Sequence, residues 1–141
     1  MMTKEELNLY FKIQHQVNEE SVNILKRRLE LETEIFGVKN PVYYKIYLVD
    51  INSDQMYFKA ILDQDYQDHE EFDSYSIRTS YLYNSNWEEE YRHRLLDTKK
   101  RNEEIDAKDE KLKLEAERKN KELEREKELL LLVDLKAKYE S

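Results

Sequence analysis

Residues 63–75, DQDYQDHEEFDSY, hold six carboxylates (Asp63, Asp65, Asp68, Glu70, Glu71 and Asp73) and no Lys or Arg. Carboxylates this close together suit three kinds of chemistry: holding a hard cation, exchanging protons, or meeting a basic surface. The D-x-D start resembles a calcium loop. That loop needs a glycine at its sharp turn and a glutamate at its twelfth position, and neither is present. Proton exchange needs burial that sets two carboxyl pKa values apart, and a run this polar reads as an exposed loop. HEEFD, residues 69–73, lacks the second histidine of a zincin helix. His15, His69 and His93 are scattered, there is no cysteine, and a single glycine cannot build a phosphate-cradling loop. No catalytic set, metal site or cofactor is therefore expected, and the chain reads as a non-enzyme. Two readings remain: a loop that is only solvated, and complementarity to a basic protein, which is carried forward as the expected use.

Tyrosine is the second candidate group. There are 11 in the chain. On strands, tyrosine packs with its hydroxyl at the rim, but it also supplies large contact area at small entropic cost in binding surfaces. Tyr43, Tyr47 and Tyr57 alternate with aliphatic positions and are expected to share an exposed sheet face. With Tyr66 and the six acidic residues, they form the expected partner-binding site.

Charge along the chain supports that reading. The net charge is −8. Residues 41–90 carry 3 basic and 11 acidic side chains, so 3 − 11 = −8 falls in this stretch alone. Residues 1–40 (6 basic, 7 acidic) and 91–141 (15 basic, 14 acidic) nearly cancel. Such a surface repels phosphate backbones, so no direct nucleic-acid binding is expected. The longest apolar run, LLLLV at 129–133, is too short to cross a bilayer, and MMTKEELNLY lacks the features of a signal peptide. A cytoplasmic location without membrane contact is the expectation.

The elements that must position these residues can be read from periodicity. The only Gly and the only Pro lie in FGVKNP, residues 36–41, and mark the main joint. Upstream, Thr3 and Glu6 form a capping box, and Leu7, Tyr10, Phe11, Val17, Val22, Leu25, Leu29 and Phe36 recur at helical spacing. The pattern predicts a helix over 3–36. Beyond Pro41 the period becomes two: Val42, Tyr44, Ile46 and Leu48 share one face, and Met56, Phe58, Ala60 and Leu62 share another. A hairpin and a third strand over 72–80 make a small antiparallel sheet within 41–83. From about Asn86 onward no Gly or Pro occurs and Glu, Lys, Leu and Arg dominate, which predicts one very long helix.

A heptad register can be drawn along that helix through Leu123, Leu130, Val133 and Ala137, the expected oligomer interface. The same register places Thr98, Asn102, Asp109, Lys119 and Glu126 in the seam, so only partial coiled-coil character is expected. The predicted fold is α+β. A head over 1–96 (helix 3–36, sheet 41–83, helix start 86–96) carries a charged helical extension over 97–141, and copies are expected to form a homo-oligomer, with a dimer favoured.

The stretch SIRTSYLYNSNWEEEYRHR, residues 76–94, and the ending LLVDLKAKYES together resemble small acidic proteins of bacteriophages and prophages. Such proteins join a strand, a short turn and a tryptophan to a charged C-terminal helix. The resemblance implies binding and blocking of host proteins, including nucleases of defence systems, as anti-CRISPR or DNA-mimic inhibitors do. The expected function is inhibition of a basic or nucleic-acid-handling protein, and the rival is a structural adaptor or coiled-coil scaffold.

Overall fold

The computed structural model describes residues 1–63 and 71–140. The fold is α+β: helix α1 (Lys4–Phe36), strands β1 (Tyr43–Ile51), β2 (Gln55–Leu62) and β3 (Phe72–Arg78), a 3-10 turn (Thr79–Leu82) and helix α2 (Trp87–Tyr139). The strands form one antiparallel sheet in the order β1-β2-β3. The chain divides into two compact units, Met1–Asp97 and Thr98–Ser141. Among the described residues no helix is long and apolar enough to cross a membrane.

Helix α1 begins and ends where its sequence directs. The Thr3 side chain accepts a hydrogen bond from the Glu6 N–H at 3.1 Å, satisfying an otherwise orphan donor. Gly37 takes the left-handed conformation, φ 69°, and donates to the Thr33 carbonyl, closing the last turn. Asn40 then folds back, its Nδ2 donating to the Leu29 carbonyl at 2.7 Å and to Thr33 Oγ1 at 2.9 Å. That clamp sets the angle at which the chain turns into β1.

The core is one layer of helix on one sheet face. Ile24, Leu25 and Leu29 of α1 pack on Met56 and Phe58 of β2 and Ile77 of β3. Ile46, Leu48, Tyr75, Tyr81, Leu82 and Trp87 close its edges. All buried positions of α1 fall between Ser21 and Ile35. The reason is length: 33 residues of helix run about 50 Å, whereas a nine-residue strand covers about 30 Å. The apolar stripe continues toward the N-terminus through Leu7, Tyr10 and Phe11, but those residues are exposed.

The strand pattern departs from expectation at one point. Strict alternation puts Tyr44 with Ile46 and Leu48 and puts Tyr43 on the opposite face. A register shift between Tyr43 and Lys45 inserts one extra residue and reverses that assignment. Tyr43 therefore joins the core face, while Tyr44 is 76% exposed and Val42 is exposed as well.

The start of α2 is tied to α1 by polar contacts. Tyr91 donates to Glu32, and burial followed by that bond raises its hydroxyl pKa above the ordinary tyrosine value. Arg27 donates to Glu88 and to Glu30, and these bonds, Glu88 first, hold its pKa above the usual range. The Arg28 guanidinium lies over the rings of Tyr91 and Tyr81, at 4.3 and 5.4 Å from their centroids. In the second unit every described residue is exposed, including Leu129, Leu130, Leu131, Leu132 and Val133 at 57–67%.

Candidate functional site

The described residues of the expected partner site fall into three groups. Tyr43 and Asp73 engage each other inside the head. The Tyr43 hydroxyl donates to Asp73 Oδ2 at 2.7 Å and also meets the Tyr75 hydroxyl. Burial, then these two bonds, raises the Tyr43 pKa well above the ordinary value, so the hydroxyl stays protonated. Tyr43 and Asp73, both expected at the partner site, thus bond each other across thirty residues of sequence.

Asp63 and Glu71 are exposed and stand at the mouth of the β2–β3 hairpin. The Leu62 N–H donates to the Glu71 carbonyl at 2.9 Å, and the Asp63 N–H donates to the Val42 carbonyl at 3.0 Å. The backbone thus brings the two ends of the acidic segment together. Asp65, Tyr66, Asp68 and Glu70 lie outside the described residues.

Tyr47 and Tyr57 do share the outward sheet face, and Tyr57 is 42% exposed. That face is not acidic. The pairing register puts Lys45, Ile61 and Phe72 in one row, Tyr47, Lys59 and Ser74 in the next, then Asp50, Tyr57 and Ser76, with Gln55 and Arg78 last. Lys45, Lys59 and Arg78 are all three of the basic residues between 41 and 90. Lys59 Nζ sits 4.0 Å from the Phe72 ring centroid, and Lys45 Nζ 5.5 Å from that of Tyr47. The described tyrosines therefore keep company with cations, and Asp63 and Glu71 stand at the hairpin end. Sequence reasoning missed the cations because it counted aliphatic positions only. The signal was present: Lys59 lies between Phe58 and Ala60, both of which are buried.

Among the described residues no three His, Asp or Glu side chains are placed to hold a metal ion. Clefts run along the groove between α1 and the edge strand β1. One is lined by Leu29, Thr33, Asn40, Tyr43 and Ile46, with a volume of 680 Å³, and another by Tyr10, Ile13, Val17, Leu48 and Ile51. Both are open to solvent. No protein-family model, curated protein or solved structure matches this chain.

The oligomer positions are placed as follows. Leu123, Leu130, Val133 and Ala137 are all exposed on α2. So are Leu129, Leu131, Leu132 and Leu135, which the heptad reading left outside the seam. The helix is apolar around its whole circumference over this stretch.

Proposed function

We propose that the chain is a non-enzymatic assembly adaptor whose copies associate through the distal part of α2. One observation carries the reading: the run Leu129–Val133, with Leu135, is exposed on a well-formed helix. Fully burying a leucine or valine is worth roughly 1.5–3 kcal/mol, and nothing within the second unit provides that burial. A contiguous apolar patch of this kind marks an interaction surface. The charged stretch before it needs no partner to remain helical. Its i,i+4 pairs, Glu104 with Lys108 and Glu115 with Lys119, each add about 0.2–0.5 kcal/mol. On this reading the charged stretch is a spacer and the leucines are the contact.

Sedimentation velocity tests it. The wild-type chain is expected to run as an oligomer of the 17.3 kDa protomer. Leu130→Asp with Val133→Asp is expected to lower the mass while leaving the unfolding midpoint of the head unchanged. A wild-type monomer at tens of micromolar removes the proposal.

A second reading rests on the hairpin mouth. The backbone bond between Leu62 and Glu71 joins the two residues that flank a stretch whose sequence carries Asp63, Asp65, Asp68 and Glu70. That favours capture of a basic protein, with inhibition of a nucleic-acid-handling enzyme as the outcome. Electrostatic complementarity of this kind mainly accelerates association. Changing Asp68, Glu70 and Glu71 to Lys is then expected to lower the association rate for a basic partner without altering oligomer mass. An unaltered rate discards this second reading.

A further inference from the structure

The two edges of the sheet are built differently. Strand β1 meets β2 with register shifts at Tyr43/Lys45 and at Leu48/Asp50, so its ladder is broken twice. Bulges and an edge lysine are the devices by which proteins stop other strands from adding to a sheet, and β1 has both. Strand β3 has no bulge and no lysine; its charged residues are Asp73, which is bonded to Tyr43, and Arg78 at its last position. Its seven residues pair with β2 in unbroken register, with no proline and no lysine.

The phase of the β2–β3 ladder shows which backbone groups remain. The bonds from Leu62 N–H to the Glu71 carbonyl and from Thr79 N–H to the Asp54 carbonyl are in phase with the pairs Ala60/Asp73, Phe58/Tyr75 and Met56/Ile77. In an antiparallel ladder, alternate residues turn both backbone groups toward the same neighbour. Asp73, Tyr75 and Ile77 therefore face β2, and Phe72, Ser74, Ser76 and Arg78 direct their N–H and C=O groups to the free edge. These four residues are also exposed in their side chains.

We propose that β3 pairs antiparallel with β3 of a second copy, about a two-fold axis at Tyr75, to give one continuous sheet of six strands. The occupant follows from self-complementarity. A two-fold at position 75 sets Phe72 against Arg78 and Ser74 against Ser76, since 72 + 78 and 74 + 76 both equal twice 75. All four free residues then meet partners that are also free, in matching hydrogen-bond phase. No like charges face each other. Arg78 meets the Phe72 ring, whose face already accepts the Lys59 ammonium. Serine faces serine, and Asp73 faces Ile77. The outward row of cations and aromatics becomes continuous across the junction.

This contact deepens the adaptor reading by naming a second self-contact, and it rests on the chain being self-associating. Two different two-fold contacts on one chain, one on the head and one on α2, generate extended assemblies rather than a closed dimer. The test therefore starts from the full chain carrying Leu130→Asp and Val133→Asp, in which the distal contact is removed. That protein is expected to remain a dimer, twice 17.3 kDa, by light scattering. Adding Ser74→Lys with Ser76→Lys sets like charges opposite each other at two places and is expected to give monomer. Adding Ser74→Lys with Ser76→Glu instead sets opposite charges together and is expected to restore the dimer. Ser74→Pro checks the backbone: its N–H faces the free edge, so the head folds but strand addition stops.

A monomeric starting protein overturns this contact and leaves the adaptor reading in place if the wild-type chain still assembles. Equal mass for the Lys/Lys and Lys/Glu variants also overturns it, including the case of a foreign strand on this edge, which has no reason to follow that charge exchange. A wild-type chain that is itself monomeric removes both ideas at once.

Discussion

Leu29 on α1 and Leu130 on α2 are the same residue on similar helices, yet one is buried and the other stands in water. Both helices are rich in Glu, and both carry aliphatic residues in neighbouring turns at these points. The difference lies in what accompanies them. Leu29 has Met56, Phe58 and Ile77 within its own unit, a sheet face with the same apolar spacing. Leu130 has no such face in the unit Thr98–Ser141. An apolar stretch on a helix therefore does not by itself say what covers it. Whether the cover is internal depends on the rest of the chain.

The largest effect tests that contrast directly. Leu29→Ala is expected to destabilise the head by about 2–5 kcal/mol, the cost of a truncated core leucine. Leu130→Ala is expected to leave urea unfolding of the head within about 0.5 kcal/mol of wild type and to lower oligomer mass instead. Phe58→Ala, at the centre of the core, is expected to cost about 3–5 kcal/mol. If Leu130→Ala destabilised the head as much as Leu29→Ala does, the two leucines would belong to one core and the contrast would fail.

Much of the fold was legible because local signals agreed with the tertiary structure. Thr3, Glu6 and Gly37 mark the ends of α1 by chemistry that acts within a turn. The alternation of Met56, Phe58 and Ala60 was enough to place β2. The face of Tyr43 was not legible. VYYKI offers two adjacent tyrosines for one inward position, and the choice is made by Asp73 and Tyr75, far away in sequence. The exposure of the first half of α1 was also missed, because the stripe through Leu7, Tyr10 and Phe11 looks the same whether or not a sheet lies beneath it. A 33-residue helix set against a nine-residue strand contained the answer, had lengths been compared. The site was the least legible part. The described residues proposed for one surface belong to a half-buried pair, a hairpin mouth and a cationic sheet face.

The Tyr43 correction makes an intermediate-sized prediction. Tyr43→Phe removes the donor to a half-buried Asp73, at a cost of about 1–3 kcal/mol. It also changes the response to alkali. Tyr43 has a folded pKa raised above its unfolded value of about 10. Its contribution is fully present below that unfolded value and is lost as the pH rises from there through the folded value. Wild-type stability is therefore expected to fall above about pH 10 more steeply than that of Tyr43→Phe, measured as urea midpoint against pH. Parallel curves would mean that Tyr43 is as open to water as Tyr57, returning it to the outward face.

The smallest effect compares the two ends of α1. Thr3→Ala removes a cap worth about 1 kcal/mol, but residues 4–16 are exposed and lack packing partners in the core. Segments of this kind open locally without global unfolding. The expected outcome is faster amide exchange in the first two turns, by about fivefold for 1 kcal/mol, with an unchanged urea midpoint. Asn40→Ala removes a clamp at the covered end, where Nδ2 bonds Leu29 and Thr33. Because that end lies over the core, its loss is expected to move the global midpoint. If both substitutions shifted the midpoint equally, the first half of α1 would have to be part of the cooperative head, packed against a surface that forms only when copies meet. Repeating the exchange measurement at high dilution decides this: protection of residues 4–16 would then fall with concentration, whereas protection of residues 21–35 would not.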